Sequence, residues 1–293
     1  MSGSGLTKHN NNPVSFLYFG DELIRSEDLD PVYVALARAN LDDALLKRML
    51  LAYWCYYSMG TASRIAEAGG HKFFDMMWKA WAEKWPHGFE RRHFYGESAK
   101  QSILFLQSQF NGYAERIVDD MTYHSTVHEI VEAVKRYRGF GVWMGWKIAD
   151  MSERVLGYDV DFSDPVPVMY GDVIKGMALM YYGDKNHDIG VEERNLVVNA
   201  LNKDFSHWTA PPWYDRQFNA QEGETVLCKY KAYFYGEYYI GKDIAEVSHG
   251  LSFAAKQGCD LAGHLLACMP ELYKPVTKPY KYNGSWPHVS VRG

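Results

Sequence analysis

Apolar residues recur at helical spacing along almost the whole chain, and runs of alternating strand residues are scarce. This constrains the fold more than any other feature. A segment whose apolar side chains return every three or four residues can turn them to one core only as a helix. Val127, Ile130, Val131 and Val134 line one such face, and Val34, Leu41, Leu45, Leu46, Met49 and Tyr53 another. The pattern predicts helices over residues 31–58, 61–68, 71–83, 97–109, 112–120, 125–137, 142–156, 168–181, 192–203, 222–235, 240–256 and 259–269. Pro31 stands at a helix start behind Asp30, and Trp85-Pro86-His87-Gly88 and Pro211-Pro212 read as breaks. The expected architecture is mostly α. Residues 1–14 form a lead-in, residues 15–272 a single helical domain, and residues 273–293 an irregular tail. The domain is expected to have two helical lobes with a cleft between them.

Composition narrows the function classes. At 293 residues, 47% of them hydrophobic, the chain can bury a substantial core. The net charge of −5 excludes a uniformly basic coat for tight non-specific binding of nucleic acid, though not a local basic track. Cys55, Cys228, Cys259 and Cys268 are scattered without CxxC spacing, which argues against a disulfide framework, a zinc site or an iron–sulfur cluster, and for a reducing compartment. No apolar run approaches the roughly 18 residues of a membrane span, and the N-terminus lacks the apolar core of a secretory leader. His124 and His128 are four apart, but without an HExxH pattern and with Ser125 expected to cap the helix between them, no metal site is assigned. No Walker loop, dinucleotide fingerprint or nucleophile elbow is present.

The richest stretch is Tyr137–Asp164. Arg138-Gly139-Phe140-Gly141 reads as a tight turn between two helices, and Gly145 and Lys147 follow in the second. Glycine allows positive φ and close approach of a ligand, and a helix N-terminus offers N–H groups and partial positive charge to a phosphate. Arg138 and Lys147 could add full charges. The competing reading is a helix pair packed in a core, with Trp143 and Trp146 filling space. Beyond the second helix, Leu156-Gly157 is followed by Asp159, Asp161 and Asp164.

The glycine turn, the Lys147-Ile-Ala149 helix, Leu156-Gly157 and an aspartate seven residues further on together resemble the helix-hairpin-helix superfamily of DNA glycosylases. That resemblance implies a fold of that class, a hairpin on DNA phosphates at Gly139, Gly141, Gly145 and Arg138, and Asp164 as the active-site carboxylate, with Asp161 and Asp159 as rivals. The hairpin departs from the Leu-Pro-Gly-Val-Gly form usual there.

A wider resemblance rests on Phe16-Leu-Tyr-Phe-Gly-Asp-Glu22, Tyr53-Trp-Cys-Tyr-Tyr-Ser-Met-Gly60, Ala62-Ser-Arg-Ile65, the stretch from Gly139 to Asp150, Glu224-Thr-Val-Leu-Cys-Lys-Tyr-Lys231 and Tyr239-Ile-Gly-Lys-Asp-Ile244. Over residues 15–260 the chain is similar to the phage amino acid:DNA transferases, also called α-glutamyl/putrescinyl-thymine pyrophosphorylases. The resemblance implies hypermodification of thymine in phage DNA, inside the infected bacterial cell. An amino acid or amine would displace pyrophosphate from a pyrophosphorylated 5-hydroxymethyluracil. The partners would be DNA and the amine donor, with no membrane. No cofactor is expected, magnesium carried by the pyrophosphate being the one metal such a reaction could call on.

For that chemistry Asp164, Asp161 and Lys147 are the catalytic candidates. Arg64, Lys229 and Lys231 would meet pyrophosphate charge, and Tyr57 would stack on an extruded base. Asp21 and Glu22 are further acids that could meet the amine. The Gly60-Thr-Ala-Ser63 stretch before Arg64 reads as a small-residue turn open to an anion. Lys229 and Lys231, two apart on a helix, should face different directions. A DNA glycosylase and a non-catalytic DNA-binding protein are the rival functions.

Overall fold

A computed structural model describes residues 16–271, so the lead-in (1–14) and the tail (273–293) fall outside the described residues. Fourteen α-helices account for most of the described chain. They are α1 (Phe16–Arg25), α2 (Pro31–Arg38), α3 (Asp43–Tyr56), α4 (Met59–Glu67), α5 (Phe73–Ala82), α6 (Gly96–Ser108) and α7 (Ala114–Thr122). Then come α8 (Val127–Lys135), α9 (Val142–Arg154), α10 (Gly171–Tyr182), α11 (Val191–Asp204), α12 (Ala220–Phe234), α13 (Lys242–Lys256) and α14 (Asp260–Cys268). Among the described residues, β pairing is confined to two isolated bridges, Thr126 with Asp161 and Thr209 with Gln217. The mostly α expectation therefore holds.

The chain divides into two compact units. One contains Phe162–Ile244 and the described residues up to Pro31; the other contains Val32–Asp161 and Ala245–Met269. In the first, α12 is the centre. Phe16 meets Tyr230 edge-on at 5.1 Å, Phe19 lies 4.8 Å from Tyr233, and Phe205 packs on Phe218 at 4.9 Å. In the second, Met49, Leu50, Leu51 and Trp54 of α3 are fully buried, with Ile117, Val118 and Met121 of α7 and Trp146 and Ile148 of α9. The Trp54 indole donates to Met151 Sδ at 3.2 Å, so even the polar edge of this side chain is used inside the core.

Three local expectations are corrected. The helix expected over 31–58 is two helices. Asn40 adopts a left-handed conformation (φ 47°), and Asp42 then caps α3 by accepting from the Leu45 N–H at 2.9 Å. A local side-chain bond thus restarts the helix in a new direction. Gly60 to Ser63 do not form the open small-residue turn expected there: Ser58 is the cap, and all four are buried in α4, Gly60 in its first turn. A Cβ there would stand 2.2 Å from the Gly250 carbonyl oxygen, so close helix approach explains that glycine. Finally Thr126, not Ser125, caps α8, through a capping box with Glu129, which leaves His124 before the helix and removes the shared face with His128. Helix α1 was not foreseen as a helix.

Candidate active site

The sequence-predicted residues fall in both units, and each group is built separately. In the second unit α8 and α9 are joined by a turn in which Phe140 N–H donates to Tyr137 O at 3.1 Å. Gly139 takes φ +88°, open to glycine, and its missing side chain leaves room for His93, Phe94 and Ser102, whose nearest atoms stand 3.1 Å from where a Cβ would be. Gly141 is extended, exposed and has no neighbour within 4 Å of a built Cβ; it caps α9 without a side-chain bond. The first turn of α9 is thus open on the Gly141 side. Gly145 instead faces α8: a Cβ would stand 3.0 Å from Val131 Cα, so close packing of the helix pair accounts for it. Packing thus accounts for Gly145, whereas Gly141 stands at an open corner.

Charge around the corner is partly committed. Arg138 is exposed and donates to Gln101 Oε1. Arg136 pairs with Asp120 at 3.2 Å, and Tyr137 donates to the same carboxylate at 2.7 Å. Arg91, almost fully buried, spreads over Phe94 and Phe140 at 5.1 and 4.9 Å from the ring centres, backing the turn from inside.

Tyr57 belongs to this corner. It ends α3 in a left-handed conformation (φ 50°), which is uncommon for a bulky residue. Its ring stacks on Tyr53 at 4.8 Å and lies 5.2 Å from Trp143, the second residue of α9. Tyr57 and Trp143 are half-buried, so this aromatic set keeps a solvent-facing edge beside the open helix start.

One turn further along α9, Lys147 is buried, its Nζ 3.9 Å from Asp150 Oδ2. The same Asp150 oxygen accepts from Tyr33 Oη at 2.6 Å. Sequence reasoning named Lys147 but missed Asp150 and Tyr33. The i, i+3 spacing on α9 was a signal for Asp150; nothing in the sequence linked Tyr33, on α2, to it.

The chain leaving α9 returns to the start of α8. Asp161 N–H donates to Ser125 O at 2.8 Å, and Val127 N–H donates to Asp161 O at 3.1 Å. Asp161 is thereby fixed by its backbone while its side chain stays exposed, as does that of Asp159. Arg64 does not follow a turn: it lies inside α4, stacked 3.4 Å over the ring of Trp85, and burial lowers its pKa from the usual guanidinium value.

In the first unit, Asp164 is exposed, just before the short 3-10 segment Val166–Val168. Lys229 and Lys231 diverge as their spacing requires. Lys231 pairs with Asp172 of α10 at 2.6 Å. Lys229 turns inward, donates to Asp28 O and pairs with Asp243 at 2.6 Å. Burial works against its charge, but Asp243, Asp28 and Asp30 outweigh it and raise its pKa. Asp28 itself is fully buried; its carboxylate accepts from Tyr238 Oη, from Gly241 N–H at 2.6 Å and from Ile244 N–H at 2.9 Å. Burial raises the Asp28 pKa, while Lys229 and the Tyr238 and Ile244 bonds oppose the rise. This cluster ties α12 and the start of α13 to the segment after α1, and Asp28 was missed. Asp21 accepts from the Trp208 indole at 2.5 Å, and His207 Nε2 lies 3.4 Å from the same carboxylate oxygen. Among the described residues no group of three or more His, Cys, Asp and Glu forms a metal cluster.

These geometries can be set beside known proteins. A glycinyltransferase of Pseudomonas phage PaMx11 is 38% identical over 267 aligned residues, spanning 81% of this chain and 90% of that protein. A putrescinyltransferase of Delftia phage PhiW-14 is 24% identical over 244, spanning 80% and 78%. The family model for amino acid:DNA transferases matches residues 17–239, a span that holds the glycine corner, Tyr57, the Lys147–Asp150 pair, Asp28 and Lys229. The chain therefore belongs to the amino acid:DNA transferase family.

Proposed function

We propose that this transferase modifies thymine-derived bases in phage DNA, joining an amino acid or amine to a pyrophosphorylated 5-hydroxymethyluracil. The family supplies the reaction class; the choice of base and leaving group is our reading. In the reaction, the donor's nucleophilic atom forms a bond to the base methylene. The methylene C–O bond breaks and pyrophosphate departs with its electron pair. The donor is an ammonium at neutral pH and must first lose a proton, which a carboxylate can accept.

The observation that carries the reading is the corner at Gly141. An open helix start, with exposed Arg138 near it and the half-buried Tyr57 and Trp143 rings beside it, combines phosphate contacts with a flat wall for a base. A base displaced from its stack could lie on those rings at a cost of a few kcal/mol for unstacking. Asp164 is assigned the carboxylate role, with Asp161 its alternative. Lys147 is assigned to the developing pyrophosphate charge, since a buried cation acts more strongly than one in water. Arg64, Lys229 and Lys231 are secondary candidates; each already holds a ring or an acid. Magnesium would enter with pyrophosphate and not as a resident ion. A helix-hairpin-helix, glycosylase-like arrangement with two lobes is part of the same proposal, supported by the pairing of α8 with α9 across a glycine turn. The site of action would be the cytoplasm of the infected host.

The donor is proposed to be glycine first and putrescine second, after the two relatives. Purified protein is incubated with pyrophosphorylated 5-hydroxymethyluracil DNA and each donor, and the DNA is digested to nucleosides for mass spectrometry. A new nucleoside heavier than 5-hydroxymethyldeoxyuridine by the donor less one water is expected, reduced at least 100-fold in Asp164→Asn with DNA affinity retained. Release of free base with abasic sites would instead indicate a glycosylase. Absence of any new nucleoside across the amino acid and amine panel would overturn the proposal.

A further inference from the structure

Phe89 is 93% exposed, the most exposed of the large apolar side chains in the described chain. Leaving such a ring in water forgoes about 2 kcal/mol relative to burial. The segment that carries it is anchored. Trp85 lies under Arg64 at 3.4 Å, Thr61 Oγ1 donates to Pro86 O at 2.6 Å, and Gly88 N–H donates to Tyr56 O at 2.7 Å. On the far side Arg91 N–H donates to Gly88 O at 3.0 Å and Arg91 Nε to Cys55 O at 3.4 Å. Both ends of the loop are tied to the core while its apolar tip points outward. Beside it, His87 and Tyr95 stack at 4.4 Å with ring planes 15° apart, and Tyr95 is half exposed.

The same segment touches the glycine corner. A Cβ on Gly139 would stand 3.1 Å from His93 Cβ and from Phe94 Cε2, both in the 3-10 segment Phe89–Phe94. Phe89 therefore opens the same short segment whose other end packs against the turn glycine. Exposed Arg138 adds positive charge on this side, while Lys100, 4.8 Å over the Trp81 ring, is already paired with Glu97 at 2.9 Å.

We propose that Phe89 inserts into the base stack of duplex DNA beside the target nucleotide, occupying the space the displaced base leaves. A ring on a fixed loop is suited to this, because an apolar wedge recovers its burial between bases and compensates part of the unstacking. The inference rests on DNA being the substrate held at the Gly141 corner, and it adds the requirement for a duplex.

The test uses a duplex with 2-aminopurine next to pyrophosphorylated 5-hydroxymethyluracil, the corresponding single strand, and the wild-type, Phe89→Ala and Phe89→Trp proteins, with no amine donor added. 2-Aminopurine emission reports local unstacking and anisotropy reports affinity; neither needs turnover. With wild type, emission from the duplex should rise severalfold. Phe89→Ala should abolish the rise and weaken duplex binding about tenfold, leaving single-strand affinity within twofold, and Phe89→Trp should restore both. Since Phe89 packs against almost nothing, Phe89→Ala should melt with wild type. Equal emission and duplex affinity in Phe89→Ala and wild type would overturn insertion. Wild-type binding without any rise in emission would also overturn it, yet leave DNA recognition standing. If wild type binds neither DNA, the proposal falls together with the reading of the corner on which it rests.

Discussion

Asp28 offers the most direct check of the physical reasoning. Replacing it with alanine removes the acceptor for Tyr238 Oη, Gly241 N–H and Ile244 N–H at once, in a place water does not reach. Each bond to a charged acceptor contributes about 1.5 kcal/mol net, and a buried donor left without a partner costs about 1–3 kcal/mol. Relief from burying the carboxylate offsets part of this, and Lys229 keeps Asp243 at 2.6 Å, so its charge is not stranded. The expected loss for Asp28→Ala is about 3–5 kcal/mol, a large share of the 5–15 kcal/mol that holds a typical domain. Tyr238→Phe removes one donor and leaves the two backbone bonds, so it should lose about 1 kcal/mol. Asp28→Asn keeps one carbonyl acceptor but presents N–H groups to other donors, and should fall between. Urea unfolding followed by circular dichroism ranks the three: the Asp28→Ala midpoint should drop by 1 M or more, at slopes of about 3 kcal/mol/M. If Asp28→Ala unfolds no earlier than Tyr238→Phe, the carboxylate does not organise the start of α13 and the account of this cluster is wrong.

Other outcomes follow from single contacts. Gly60→Ala would place a Cβ 2.2 Å from the Gly250 carbonyl oxygen, and the helices must separate; a loss of about 2–3 kcal/mol is expected, read as a lowered melting temperature, and an unchanged one would contradict the packing. Tyr238 has its pKa raised well above the ordinary value, first by burial and then by Asp243 and Asp28. Its stabilising contribution is complete below the unfolded value near 10 and is lost as pH rises toward the folded one, because the unfolded chain releases the proton first. Stability should therefore decline above about pH 10, less steeply in Tyr238→Phe; equal slopes would refute the assignment. Burial pushes the Cys259 thiol up to about 12 and raises that of buried Cys55 further, so at pH 8 native alkylation should label Cys228 and Cys268 first, as mass spectrometry of tryptic peptides would report.

What could be read beforehand divides along the range of the forces involved. Helices α10 to α12 and α14 stand within a few residues of their expected places because periodicity and end signals are local. The split between α2 and α3 escaped because an apolar face continues across Asn40, and only the left-handed backbone there reveals the break. The same limit governs the site. The turn from Arg138 to Gly141 was legible from its glycines, but glycine serves close packing and ligand approach equally well, and only the neighbour at each position separates them: Val131 behind Gly145, open space at Gly141. Cationic side chains were the least legible. Arg64, Lys147, Lys229 and Lys231 are all cations of matching motifs, yet their surroundings differ from the indole face under Arg64 to the Asp28 main-chain carbonyl, about two hundred residues from Lys229 in sequence. A charge's effect on a leaving group depends on that environment, which sequence spacing does not carry. Of the four, Lys147 alone is on the helix that starts at the open glycine corner, and its Asp150 partner lies 3.9 Å away on the same helix, one turn on from it. This placement, and not its residue type, makes it the first cation to replace when the chemistry is tested.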